Sequence, residues 1–389
     1  MTLGGVLDGI TVLDHGCFIT GPFAAMLLAD MGARVIKIER PGTGDPFRSF
    51  ETGLYGPQFR AFNRNKESIA LDHAEAADRQ LLDDLAAAAD VFIHNFRPGV
   101  ARRLGIDADR LQRLNPALIH CAITGFGEDG PDAARAAYDT VAQAASGYLS
   151  LFVGPGDTAI KGPAVADVVS GLYAAYGVLG ALFERERTGR GRLVEVSMLS
   201  AMAHFASEPF QHFFERGTPP APVHRSEISQ SFAFECADGR LIAVHLSSPE
   251  KFWDGLLAAI ERPDLAADAR FAARAARIRN HAALQAALAP EFCRRTLPEL
   301  CARLTAHDVP HAPVHRLDEV LESPQARHLG IAQRATHPSE GVVRAIANPV
   351  IFDRARPAGF APPPVLDEHG GAIRDGVKRP ADPSGGRPG

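Results

Sequence analysis

The sequence predicts an α/β protein: a large doubly wound, parallel-sheet domain and a smaller α/β domain. Three observations lead there. Leu7–Asp14 is a short apolar run after a turn, Gly21-Pro22 opens a helix that reaches Met31 and closes at Gly32, and Arg34–Glu39 is an alternating, β-branched strand. This βαβ spacing is that of parallel strands joined by a helix. Strand-like runs then return at Asp90–His94, Leu118–Ile123 and Leu193–Val196. Finally, Ser231–Glu235 and Arg240–His245 flank Ala237-Asp238-Gly239, a hairpin signal that starts a second region. The expected division is a large domain over 1–216, a linker over 217–230, a small domain over 231–320, a return to the large domain over 321–377 and a disordered tail over 378–389.

Composition narrows the function classes. The chain has 389 residues, 46% of them hydrophobic and 22% charged, with a formal net charge of −5. That balance argues against nucleic acid or an anionic membrane surface as a general partner. Five scattered cysteines without CxxC spacing read as reduced thiols, which points to a cytoplasmic protein. The amino terminus lacks a basic segment followed by an apolar run, so no secretory signal is expected, and the longest apolar run, Leu172–Phe183, is too short to span a bilayer.

The elements follow in order. Ala74–Ala89 is an Ala- and Leu-rich helix, and Asn95-Phe96-Arg97-Pro98-Gly99 is a turn at the carboxyl end of the Asp90–His94 strand. Gly125–Gly130 spells GxGxxG after a strand, but Pro131-Asp132 follows it and no second strand with an acidic end comes next, so it is not a dinucleotide fingerprint. The segment Lys161–Ser197 organises the rest. A Gly-Pro turn leads to Asp167; apolar positions Val168, Leu172, Ala175, Leu179 and Leu182 recur at helical spacing; Thr188-Gly189 ends the helix. Asp167 therefore sits near a helix start, where free amides and the helix dipole favour a carboxylate. An ordinary first-turn Asp fits that position, and so does a nucleophile. Leu199–Phe214 is helical, as are Pro249–Ile260, Arg274–Leu288 and Leu297–Ala306. His311 and His315 have metal-ligand spacing for a helix, but Pro313 between them excludes one, so no metal site is expected.

The stretch GPxxxDxxxGxxAAxGxLGALxxRxxTGxG resembles the nucleophile segment of the family III CoA-transferases, whose sister branch is α-methylacyl-CoA racemase. The resemblance runs from Leu7 to about His369 and takes in the loop Arg40–Pro46, the NxNKxSIxLD run ending at Asp72, the NFRPG turn and the GFGxxGP loop. It implies a Rossmann-like large domain, an interlocked homodimer, acyl-CoA and a small carboxylic acid as substrates, and no permanently bound cofactor. It makes Asp167 the catalytic residue, with Tyr138 and Asp139 as helpers. It places Phe18, Arg40, Leu71, Asn95, Phe96, Arg103 and Tyr138 against CoA, with Arg40 and Leu71 at the adenine end, and Ile19 in the acyl pocket.

Within the resemblance, the racemase branch has a His where this chain has Tyr138. A phenol titrating near 10 is a poor substitute for an imidazole near 6.5 in proton exchange, so transfer is favoured over racemisation. Formyl-CoA transferases have a Gln at the position of Ile19, a Lys at that of Ala136, and a tetraglycine loop that is missing from His224–Ser231. A less polar acyl pocket points away from oxalate–formate chemistry, and Arg135 is the neighbouring cation that would stand in for the Lys. Arg225 is a candidate for a second carboxylate on the acceptor, or simply a linker residue. The alternatives are a racemase-like enzyme and a CoA-binding protein without catalysis.

Overall fold

The computed structural model describes residues 5–51, 53–354 and 359–378. The expected disordered tail lies outside these residues apart from Lys378, the end of a helix that starts at Gly370. The chain divides into two compact units: one runs to Phe210 and resumes at Gly330, and the other is Gln211–Leu329.

The first unit is built on six parallel strands, β1 (Thr11–Asp14), β2 (Arg34–Glu39), β3 (Lys66–Ala70), β4 (Val91–His94), β5 (Ile119–Thr124) and β6 (Leu193–Ser197), in the order β3-β2-β1-β4-β5-β6. Successive strand residues point to opposite faces. Val12, Val35, Val91, Ile93, Ile119, Cys121 and Ile123 therefore share one face, under the helix Thr20–Asp30 and the long helix Val165–Thr188. Leu13, Ile36, Ile38, Ile69 and Phe92 share the other, under the helices Ala76–Ala88 and Ala108–Leu114. This is the doubly wound arrangement. β1 and β4 are neighbours although β2 and β3 come between them in sequence, so the chain switches direction there. The crevice at the carboxyl ends of such a pair is where ligands bind in open α/β sheets.

The long helix has 24 residues, and its most apolar stretch averages a hydropathy of 1.5, long and apolar enough to cross a membrane. Half of that stretch is buried inside the fold, with Ala174, Val178 and Ala181 against the sheet and the first helix. Its place is that of a core helix. The two helices approach closely at Gly171, where a Cβ would come within 2.8 Å of the Thr20 carbonyl oxygen and 2.9 Å of the Phe23 ring.

β3 is an element the sequence pattern hides. Its residues Lys66 and Ser68 are polar yet buried. Lys66 Nζ donates to Asp14 Oδ2, the Pro22 carbonyl and Asn63 Oδ1, all at 2.8 Å. Ser68 Oγ donates to Glu39 Oε1 at 2.7 Å, and Glu39 in turn receives a two-pronged bond from Arg48 with both distances 2.7 Å. Arg48 also donates to the Pro364 carbonyl at 3.1 Å, which anchors the closing segment Pro362–His369 beside β3. Arg48 is fully buried, so its removal leaves the Glu39 charge without its partner. Arg48→Ala is expected to lower stability by about 3–5 kcal/mol. Arg48→Lys would recover little of it, because an ammonium cannot fork. Urea denaturation of both variants checks this.

In the second unit, β7 (Ser231–Glu235), β8 (Leu241–His245) and β9 (His311–Pro313) form an antiparallel sheet in that order. Phe232, Phe234, Ile242 and Val244 pack on Trp253, Leu256, Leu288, Phe292 and Leu300 from its helices. The unit extends beyond 231–320 on both sides, and the helix His224–Ser229 forms within the expected linker. The single helix expected over Arg274–Leu288 is two, Arg274–Arg279 and His281–Cys293. Asn280 Nδ2 donates to the Ala276 carbonyl at 2.9 Å, a local side-chain bond that competes with helix continuation. Leu199–Phe214 is likewise broken, at Ala206. In the first unit, β10 (Ala332–His337) and β11 (Gly341–Ile346) form an antiparallel hairpin.

Candidate active site

The crevice beyond β1 and β4 is built from three pieces. The loop Gly16–Ile19 leaves β1, the NFRPG turn leaves β4, and the start of the long helix brings Asp167. Together with Thr124, Gly125, Arg135, Tyr138 and Met198 they line a cavity of about 340 Å³. Of the expected site residues, Phe18, Ile19, Asn95, Phe96, Tyr138 and Asp167 all face it. Arg40 and Arg103 are exposed and do not line it, and Leu71 is only 2% exposed, packed in the core with Ile38, Ile69 and Leu82. A larger cavity of about 660 Å³ opens beside β6, lined by Glu128, Glu195, Tyr173 and His204. Its carboxylates do not sit at a helix start, and Asp167 opens into the smaller one.

Asp167 is the third residue of the long helix and is 9% exposed. Among the described residues its carboxyl makes no hydrogen bond. Burial, helped by the charge of Asp139, pushes it up to about 7 from the ordinary carboxylate range. The helix dipole acts in the opposite direction, but a dipole at a helix end is worth about 0.3–1 kcal/mol and is outweighed by desolvation of a group this deep. A buried, strongly perturbed carboxyl in a cleft marks Asp167 as a candidate functional residue.

Asp139 stands behind it. It opens the helix Asp139–Ala145, and its Oδ1 accepts from the Ala166 backbone N–H at 2.8 Å, while Gln143 Nε2 donates to its Oδ2 at 2.7 Å. Asp139 thus caps the long helix from outside and places a negative charge next to Asp167. Tyr138, 59% exposed, meets the edge of the Phe18 ring with centroids 5.6 Å apart.

Phe18 carries a φ of +62°, left-handed backbone that costs a bulky residue about 1–2 kcal/mol. The loop holds it there. Cys17 N–H donates to Asn95 Oδ1 at 2.9 Å, and Asn95 Nδ2 donates to the Cys17 carbonyl at 2.7 Å and to Thr20 Oγ1 at 2.8 Å. The Asn95 amide is fully engaged in bracing the loop. Ile19 is buried against Phe47 and Phe59, an apolar wall near Asp167. Arg97 and Arg135 line the same cleft. Arg135 bonds Asp132 at 2.8 Å and lies 4.7 Å over the Phe126 ring. Sequence reasoning passed over Arg97, although its place in the NFRPG turn was the available signal. The GxGxxG residues form a loop with no helix; the next begins at Asp139.

Comparison with known proteins identifies the family. The family whose model matches residues 7–370 is described as CoA-transferase family III. The chain is 29% identical over 371 residues to succinyl-CoA:glutarate CoA-transferase of Mus musculus, covering 93% of this chain and 84% of that one. It is 33% identical over 386 residues to acetyl-CoA:oxalate CoA-transferase of Acetobacter aceti, covering 95% of each. A solved CAIB/BAIF family protein from Brucella suis superposes with a TM-score of 0.84 at 32% identity, covering 96% of this chain and 100% of that one.

Proposed function

This chain belongs to CoA-transferase family III and is a CoA-transferase, and from that premise we propose that it moves CoA from an acyl-CoA such as succinyl-CoA to a small carboxylic acid through an aspartyl-CoA thioester on Asp167. The observation that carries this reading is the Asp167 carboxyl: buried, without a hydrogen-bond partner among the described residues, perturbed to about 7 and open to the cleft. The steps balance without water. The Asp167 carboxylate attacks the thioester carbonyl and expels CoA thiolate, leaving a mixed anhydride. The thiolate attacks the aspartyl carbonyl of that anhydride, releases the donor acid and leaves the aspartyl-CoA thioester. The acceptor carboxylate attacks the thioester, expels the thiolate again and forms a second anhydride, from which the thiolate takes the acceptor acyl group and frees Asp167. Each step replaces one hard exchange by an easier one, and binding of the remote CoA nucleotide would hold the thiolate close for its return.

Phe18, Phe96 and Tyr138 would wall the pantetheine arm, Asn95 would hold the loop that carries Phe18, and Arg97 and Arg135, with the exposed Arg40 and Arg103 outside the cavity, would supply positive charge to the CoA phosphates, whereas the side chain of Leu71 is packed in the core. Ile19 makes the acyl end apolar, which supports an acceptor larger than formate, such as a short dicarboxylic or branched acid. Mass-spectrometric readout of a donor-by-acceptor matrix tests the proposal. New acyl-CoA should appear only when a carboxylic acid accompanies the donor. Deuterium entry at the α-carbon without any acceptor would instead favour a racemase.

A cytoplasmic homodimer with threaded chains completes the reading. Its support on the surface is the outer side of the long helix, where Leu172, Tyr176 and Phe183 are 49%, 75% and 69% exposed. Light scattering should give the mass of two chains; the mass of one chain would exclude the dimer.

A further inference from the structure

We propose that Asp45, in the loop that follows β2, is a positioning residue that holds Phe18 in its left-handed conformation and so shapes the wall of the cleft. Asp45 touches neither the cavity nor Asp167. It is 3% exposed, and its carboxylate links three groups. Oδ1 accepts from the Phe18 backbone N–H at 3.1 Å and from the Phe47 backbone N–H at 2.9 Å. Oδ2 pairs with Lys37 Nζ at 2.9 Å. The same Lys37 ammonium donates to the Gly16 carbonyl at 2.9 Å, and Asp14 Oδ1 accepts from the Gly16 N–H at 3.0 Å. The turn from β1 into the cleft is thus tied at Gly16 and Phe18 to one buried ion cluster.

The two amides that share Oδ1 belong to the two residues whose rings meet edge-on, Phe18 and Phe47, with centroids 5.2 Å apart. Phe18 then meets Tyr138 in the same edge-on way. Asp45 therefore fixes the backbone at both ends of the aromatic contact that forms this side of the cleft. Phe18 has no conformational reason of its own to adopt a φ of +62°. An amide aimed at a fixed, buried carboxylate supplies one. The alternative is that Asp45 only caps the short helical turn Pro46–Ser49, since its bond to Phe47 N–H is a cap bond.

A double-mutant cycle separates the two, with Asp45→Ala, Asp45→Asn and Phe18→Gly. The ligand-binding arm rests on the function proposed above; the stability arm does not. In calorimetric titration with CoA, Asp45→Ala and Phe18→Gly should each weaken binding about tenfold, and the double variant no more than either alone, because both remove the same wall. Asp45→Asn keeps an acceptor oxygen and should recover most of the affinity. In thermal denaturation, Phe18→Gly should offset part of the melting-temperature loss caused by Asp45→Ala, since glycine adopts a positive φ without strain. Multiplying affinity losses, or melting losses that add, would overturn the positioning role and leave a plain cap. If the wild-type protein fails to bind CoA, the proposed function falls, and the melting arm alone decides the role of Asp45.

Discussion

Asp167→Asn is expected to lose about 10⁴-fold or more in kcat/KM and yet to melt at a higher temperature than the wild-type protein above pH 7. The first half follows from covalent catalysis: an amide cannot form the anhydride, and removing a nucleophile that begins a covalent sequence removes nearly all of the acceleration. The second half follows from burial. The folded protein raises the Asp167 carboxyl to about 7, whereas in the unfolded chain it titrates near its ordinary value. Between those two values the folded state binds the proton and the unfolded state does not. Stability contributed by the protonated group is therefore complete at low pH and is lost as pH rises toward 7. Above that, the ionised buried carboxylate costs the fold roughly 4 kcal/mol, which the neutral Asn removes. Steady-state rates and melting curves at pH 5 and pH 8 check both halves. A variant that is inactive and also less stable at pH 8 would mean that Asp167 holds the fold together rather than performing chemistry.

The ionisation of Asp167 sets the second large effect. Only the carboxylate attacks, so kcat/KM is expected to rise with pH through a single ionisation near 7 and to level off above it. At pH 6 about a tenth of the plateau should remain. Asp139 contributes to that position through its charge, after burial, so Asp139→Asn should move the rise to lower pH. The amide keeps an oxygen for the Ala166 N–H, so the helix cap survives, and Gln143 can turn its own amide so that its oxygen accepts from the new Nδ2, which leaves the loss of charge as the main change. A profile flat from pH 5.5 to 8, or a rise that Asp139→Asn leaves in place, would remove Asp167 ionisation from the rate.

Much of this was legible in the sequence because it rests on periodicity and on motif residues that do one visible thing. The βαβ spacing of Leu7–Glu39 read directly, and the turn Asn95-Phe96-Arg97-Pro98-Gly99 leaves β4 at its carboxyl end as its signals indicate. The face of the long helix read only in part: Ala175 and Leu182 are buried, but Leu172 is exposed, and the small residues Ala174 and Ala181 with Val178 pack on the sheet instead. What the sequence hid is what depends on partners far away in the chain. β3 has no apolar alternation because its inward groups, Lys66 and Ser68, are satisfied by Asp14 and Glu39 rather than by packing. Arg48 looks like a surface arginine until Glu39 and the Pro364 carbonyl surround it. Phe18 gives no sign of a positive φ, since that conformation is imposed by Asp45 and the braced Cys17, not by its own side chain. Asp367 is the converse case. It adopts a φ of +61°, a conformation Asp tolerates, while its Oδ1 accepts from the Ala70 N–H at 2.8 Å. A single residue thus turns the backbone of the closing segment and ties down the edge of β3.

The most direct measurement of the central claim is chemical trapping of the enzyme at work. The protein is incubated with an acyl-CoA donor, reduced with borohydride, digested and read by mass spectrometry. An aspartyl thioester on Asp167 predicts homoserine in place of that aspartate, confined to the peptide that carries it and dependent on the donor. An unmodified Asp167 peptide under turnover conditions, with transfer proceeding, would contradict a covalent route through this side chain.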